Sequence, residues 1–71
     1  MKLEHIAKLK MYEKRLGYTD IARLLGISTG YTFDIINEKR PGLKYKSKIL
    51  KILDIPENYK DLKIEFAQNK K

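Results

Sequence analysis

The stretch Thr19–Asn37, TDIARLLGISTGYTFDIIN, decides how the chain is read. Ile21, Leu24 and Leu25 fall at helical spacing ahead of Gly26, and Ile35 with Ile36 closes a second apolar segment. Between them, Gly26-Ile27-Ser28 supplies a helix stop, an apolar plug and a helix start. Glycine just past a helix end takes the left-handed conformation that other residues resist. Serine is a preferred N-cap, because its hydroxyl accepts a bond from a backbone N–H left orphaned in the first turn. Ala22 is small enough to let a second helix cross close by. The expected unit is two short helices, about residues 19–25 and 28–37, joined by a sharp turn: a helix-turn-helix arrangement.

Outward from this unit, residues 2–16 predict a first helix, with Tyr12, Leu16, Leu9, Ile6 and Leu3 within half a turn of one another and Met11 off that face. Gly17 is its expected stop, and Thr19-Asp20 the expected start of the next helix, with the Asp20 carboxylate near the positive end of the helix dipole. Downstream, Pro41-Gly42 breaks the chain. A fourth helix over about 44–53 is expected to bury Tyr45, Ile49, Ile52 and Leu53. Pro56 suits a helix start, and Tyr59, Leu62 and Phe66 share one face, which predicts a fifth helix over 56–67. The alternation Leu62-Lys63-Ile64-Glu65-Phe66 fits a strand equally well.

At 71 residues the chain is read as one small domain, with a modest core. There is no cysteine, so disulfides and thiolate metal sites are excluded. The charged N-terminal region holds no apolar signal core, and no apolar run approaches the roughly 20 residues of a membrane span. A soluble, cytoplasmic protein is expected. The net charge is +7, and it is unevenly placed. Lys39, Arg40, Lys44, Lys46, Lys48 and Lys51 face only Glu38 within residues 38–51, a local net of +5 directly after the central unit. Such a block suits a polyanionic partner. Catalysis finds no footing: His5 is the only histidine, and Ser28 and Ser47 have no matching base. No enzyme activity, metal or cofactor is expected.

Ile21-Ala22, Leu25-Gly26-Ile27-Ser28, Tyr31, Asp34-Ile35-Ile36-Asn37 and Lys39-Arg40 resemble the Xre/Cro-type helix-turn-helix DNA-binding proteins of phages and bacteria, whose usual run is IA..LGIS..YVS.I.NGKR. The likeness extends more loosely to about Ile55. Three residues depart from it: Thr32 stands where Val or Ile packs, Glu38 where glycine is usual, and Tyr18 where glutamine is common. The resemblance implies an all-α, compact four- to five-helix domain of lambda-repressor-like type. It also implies a second helix of the unit, lying in the major groove of double-stranded DNA. By that resemblance the base-facing residues are Ser28, Thr29, Gly30, Tyr31, Phe33 and Asp34.

None of these is an Arg, Lys, Asn or Gln, the side chains that make bidentate base contacts. Thr29 can bond a base or touch a thymine methyl, Gly30 permits close backbone approach, and Tyr31 and Phe33 can pack on methyls or sugar edges. Asp34 can accept from cytosine N4, or be a solvated helix charge; Tyr31 and Phe33 can equally be core or dimer residues. Phosphate contacts are expected from Thr19, Arg23, Asn37, Lys39, Arg40 and Lys44. Lys46, Lys48 and Lys51 are either a further phosphate track or a solvated face. Neutralising about five or six phosphates would give a log–log salt slope of about −5. The expected function is a small phage or mobile-element repressor, binding an inverted repeat as a homodimer through Tyr59, Leu62, Ile64 and Phe66 in segment 56–71, with no small-molecule ligand. The alternatives are an excisionase- or antitoxin-like DNA-binding accessory, and a protein-interaction adaptor that kept the fold without DNA binding.

Overall fold

A computed structural model of the chain describes residues 1–61. Its elements are α1 (Leu3–Lys14), α2 (Tyr18–Leu25), α3 (Thr29–Ile36) and α4 (Leu43–Ile52), followed by a 3-10 turn at Tyr59–Asp61. The described residues contain no strand, and no helix among them is long and apolar enough to cross a membrane. Helices of eight to twelve residues are marginal alone, so their ends and their packing must hold them.

All four helices close in the same way. A residue in the left-handed conformation follows each helix: Arg15 (φ 56°), Gly26 (φ 72°), Glu38 (φ 57°) and Asp54 (φ 58°). The next residue then donates its N–H back into the last turn: Leu16 to the Met11 carbonyl (2.9 Å), Ile27 to Ala22 (3.1 Å), Lys39 to Asp34 (2.7 Å) and Ile55 to Leu50 (2.8 Å). These bonds satisfy carbonyls the helix itself leaves orphaned. Three of the four donors are apolar and fold back onto the core: Ile55 is buried, and Leu16 and Ile27 are half-buried against it. Lys39 is the exception, exposed after α3.

Two expected boundaries therefore shift. Arg15, not Gly17, reverses the chain after α1. Gly17 instead caps α2, in extended conformation, with its N–H donating to Asp20 Oδ2 at 2.7 Å. At the start of α3, Ser28 Oγ accepts the Tyr31 N–H (3.0 Å), as its position in the sequence implies. Gly42 precedes α4 at φ 39°, and a Cβ there would lie 2.6 Å from Ile35 Cδ1, so the loop lies directly on α3.

The core is built from Leu3, Ile6, Ala7 and Met11 of α1, Ile21 of α2, Ile35 and Ile36 of α3, and Ile49 and Leu50 of α4, with Leu53, Ile55 and Tyr59. Thr32 is fully buried among them, and its hydroxyl donates to the Ser28 carbonyl at 3.0 Å. That bond removes the penalty of burying a hydroxyl where an aliphatic side chain would otherwise pack. The apolar face of α1 corrects the sequence expectation. Ala7 and Met11 are buried, whereas Tyr12 is 86% and Leu9 56% exposed. The buried face is centred roughly a third of a revolution from the expected one. Leu24 is also exposed, and Leu50 takes a core position not anticipated from the spacing.

The expected fifth helix does not begin at Pro56. Ile55 is pinned to the end of α4, and residues 56–58 turn before the 3-10 segment. Tyr59 is 3% exposed and its hydroxyl donates to Glu38 Oε2 at 3.2 Å, so it belongs to the core and not to a dimer surface. Leu62, Ile64 and Phe66 lie outside the described residues. The N-terminus is tied to the last described turn, the Met1 ammonium donating to the Lys60 carbonyl (3.2 Å), and α1 is tied to the end of α4 by Lys14 Nζ donating to Asp54 Oδ2 (2.6 Å). The Lys14 hydrogen bond and charge hold the Asp54 carboxyl below its ordinary value.

Arg15 is exposed and takes a left-handed conformation that costs a residue with a Cβ about 1–2 kcal/mol. Arg15→Gly relieves that cost, partly offset by the greater freedom of glycine in the unfolded chain. Thermal denaturation of Arg15→Gly should show a midpoint raised by about 3–6 °C, while Arg15→Ala should show no gain.

Candidate nucleic-acid interface

The α2–α3 turn brings the front of α3 to the surface. Ser28, Thr29 and Gly30 are exposed there, and one turn later Phe33 is 39% exposed. Thr29 and Phe33, four residues apart, lie on one helix face, with Gly30 beside them. The Phe33 ring is held from two directions. Tyr18, at the start of α2, meets it edge-on with centroids 5.2 Å apart, and Lys39 Nζ lies 5.5 Å from its centroid. The Tyr18 hydroxyl is buried and has no hydrogen-bond partner among the described residues, so this ring is placed for its packing.

A second aromatic pair sits between α3 and α4. Tyr31 and Tyr45 are half-buried and T-shaped at 5.9 Å. Arg40 lies 5.8 Å from the Tyr31 ring, and Lys44 and Lys48 lie 5.6 and 5.9 Å from the Tyr45 ring. Each such contact is worth about 0.5–1 kcal/mol at an exposed site. They gather Arg40, Lys44 and Lys48 around the Tyr31–Tyr45 pair, while Lys39 stands beside Phe33.

Pairing sorts those cations into two groups. The left-handed turn at Glu38 brings both the Lys39 and Arg40 N–H groups to the Asp34 carbonyl, which folds Arg40 back over α3. Arg40 Nε then sits 3.3 Å from Asp34 Oδ2, and Arg23 is 3.5 Å from Asp20. Lys46 points away from this edge, to Glu38 Oε2 (3.5 Å) and the Tyr59 ring. The Tyr59 phenol and the Glu38 carboxylate raise its pKa above the ordinary lysine value, against the lowering effect of partial burial. Lys39, Lys44 and Lys48 are exposed and have no ion pair among the described residues.

The expected site residues are thus divided. Ser28, Thr29, Gly30 and Phe33 share the exposed end of α3, with Thr19, Arg23, Lys39, Arg40 and Lys44 exposed as well. Tyr31 is engaged with Tyr45, and the Asp34 carboxylate is occupied by Arg40. The Asn37 amide donates back along α3 to the Phe33 carbonyl at 2.9 Å. Lys46 is a structural cation. Tyr18 and Tyr45 were not anticipated as parts of this surface; the spacing Lys44-Tyr45-Lys48 was the available signal for the second.

Comparison with protein-family models, with curated proteins and with solved structures finds no match to this chain.

Lys46→Gln and Lys48→Gln remove the same charge from α4 at different places. On a heparin column, Lys48→Gln should elute at lower salt than the parent, whereas Lys46→Gln should move less. In thermal denaturation the order reverses: Lys46→Gln, which loses an ion pair and a ring contact, should lose about 1 kcal/mol, and Lys48→Gln, which loses a ring contact alone, should lose less.

Proposed function

We propose that the protein is a double-stranded DNA-binding regulator, in which α2 and α3 form a helix-turn-helix of lambda-repressor-like type and α3 enters the major groove. The observation that carries this reading is the exposed end of α3 with Lys39 beside Phe33, together with Lys44 and Lys48 around Tyr45, whose ring packs on Tyr31 of α3. A major groove admits one helix, and cations beside that helix meet the flanking phosphates. The Arg23 and Arg40 side chains are 72% and 64% exposed, against 45% and 31% for Asp20 and Asp34, so each guanidinium stays within reach of a phosphate. The motif residues Leu25-Gly26-Ile27-Ser28 and Lys39-Arg40 add the resemblance to Xre/Cro-type regulators.

Within that class the protein acts as a small repressor of phage or mobile-element type, occluding a promoter at an inverted repeat. One short helix reads few base pairs, and two-fold pairing doubles the site. With Tyr59 in the core, the proposed dimer contact falls to Leu62, Ile64 and Phe66. The adaptor reading draws on one observation, the Asp34 carboxylate placed on the groove-facing helix and answered by Arg40.

Electrophoretic mobility shift against the region upstream of its own gene, across a salt series, tests the proposal. A sequence-preferring shift with a log–log salt slope near −5 is expected, at roughly 0.9 per phosphate. Lys39→Ala with Arg40→Ala should weaken binding to every sequence and flatten that slope. No shift at low salt would leave the adaptor reading; a shift indifferent to sequence would remove the repressor.

A further inference from the structure

We infer that Asp34 makes the protein selective by weakening its grip on DNA at large. The carboxylate holds Arg40 on the protein, and a duplex gains that guanidinium only by leaving the carboxylate unpaired. The inference rests on the DNA-binding reading above and concerns what α3 rejects, not what it reads.

Asp34 is unfavourable on two counts. It lies in the last turn of α3, Phe33-Asp34-Ile35-Ile36, where its charge faces the negative end of the helix dipole and no cation in the turn answers it. On a helix set between rows of phosphates, a carboxylate also repels the partner. The chain reversal after α3 does not use this side chain: the Asp34 backbone carbonyl accepts the Lys39 and Arg40 N–H groups, at 2.7 and 3.3 Å. Asp20 differs, since its carboxylate both pairs with Arg23 and accepts the Gly17 N–H that starts α2. What the Asp34 carboxylate does hold is Arg40.

Arg40 is held from three directions. Its N–H is on the Asp34 carbonyl, its Nε is 3.3 Å from Asp34 Oδ2, and its Cζ is 5.8 Å from the centroid of the Tyr31 ring. The Nε edge is one side of the fork that a guanidinium offers to phosphate, so a phosphate seated there displaces the carboxylate. One anion then replaces another, and Asp34 is left unpaired beside the duplex. An unpaired charge set against unwanted partners lowers the affinity for them. Lys39, Lys44 and Lys48 have no ion pair to leave among the described residues, and so grip any stretch of backbone alike. Arg40 does not. A site whose base edges give the freed carboxylate a hydrogen-bond donor recovers the loss, and any other site bears it in full.

The test measures fluorescence anisotropy against two duplexes, one that the protein retains from a random-sequence pool and a scrambled version of it. Asp34→Asn, which keeps the backbone carbonyl, should tighten binding to the scrambled duplex about threefold, and to the retained duplex by less. Asp34→Ser, equally neutral, should give the same order. With Arg40→Gln already in place, Asp34→Asn should gain less on the scrambled duplex, because no guanidinium remains to be freed. An equal gain with and without Arg40 overturns the inference, for Asp34 then acts by plain repulsion. So does an equal gain on the two duplexes, or none on the scrambled one; each of these leaves the DNA-binding proposal standing. If neither the parent nor Asp34→Asn retains any duplex from the pool at low salt, both fall together.

Discussion

Everything in this bundle depends on how its helices stop. Each closes on a left-handed residue whose successor bonds back into the last turn, and after α1, α2 and α4 that successor also packs on the core. Only Gly26 adopts this conformation without penalty; Arg15, Glu38 and Asp54 carry a Cβ into it. Satisfied carbonyls at every corner, with an apolar anchor after α1, α2 and α4, offset that cost. In helices so short, most backbone groups belong to a terminal turn, so corner geometry weighs as much as helix propensity.

The corner after α3 is built differently, and the candidate interface lies there. Lys39 takes the position that Leu16, Ile27 and Ile55 occupy elsewhere, so the chain leaves the core where the others return to it. Glu38 compensates from below, its carboxylate meeting Lys46 and the Tyr59 hydroxyl, while Gly42 rests on Ile35. The loop is thereby fastened at both ends with its cations outward. A positive surface held in place needs less ordering on contact with a polyanion than one on a loose loop.

Much of this was legible in the sequence, for local reasons. Gly26 and Ser28 act within a few residues of themselves, and their conformations follow from the absence of a Cβ and the reach of a short hydroxyl. The face of α1 was not legible, because Leu3, Ile6, Ala7, Leu9, Met11 and Tyr12 spread around the helix and only the neighbours choose among them. The half-turn arc of apolar residues ran through Leu9 and Tyr12, whereas the folded helix buries Ala7 and Met11. The Pro56 start signal was overridden by the burial of Ile55 and Tyr59. The Asp34–Arg40 pair escaped for another reason: it exists only once Glu38 has reversed the chain, and nothing in its spacing announces that reversal.

The division between paired arginines and unpaired lysines has a kinetic meaning. A guanidinium fits phosphate in a fixed two-point fork, while an ammonium is a compact point charge on a long flexible stem. Here Arg23 and Arg40 must leave carboxylate partners to use that fork, whereas Lys39, Lys44 and Lys48 have no ion pair to leave among the described residues. Such a rim holds a duplex without fixing its register, because one phosphate serves an ammonium as well as the next. Against the DNA partner proposed above, that is the condition for one-dimensional diffusion, a search by sliding before any base is read.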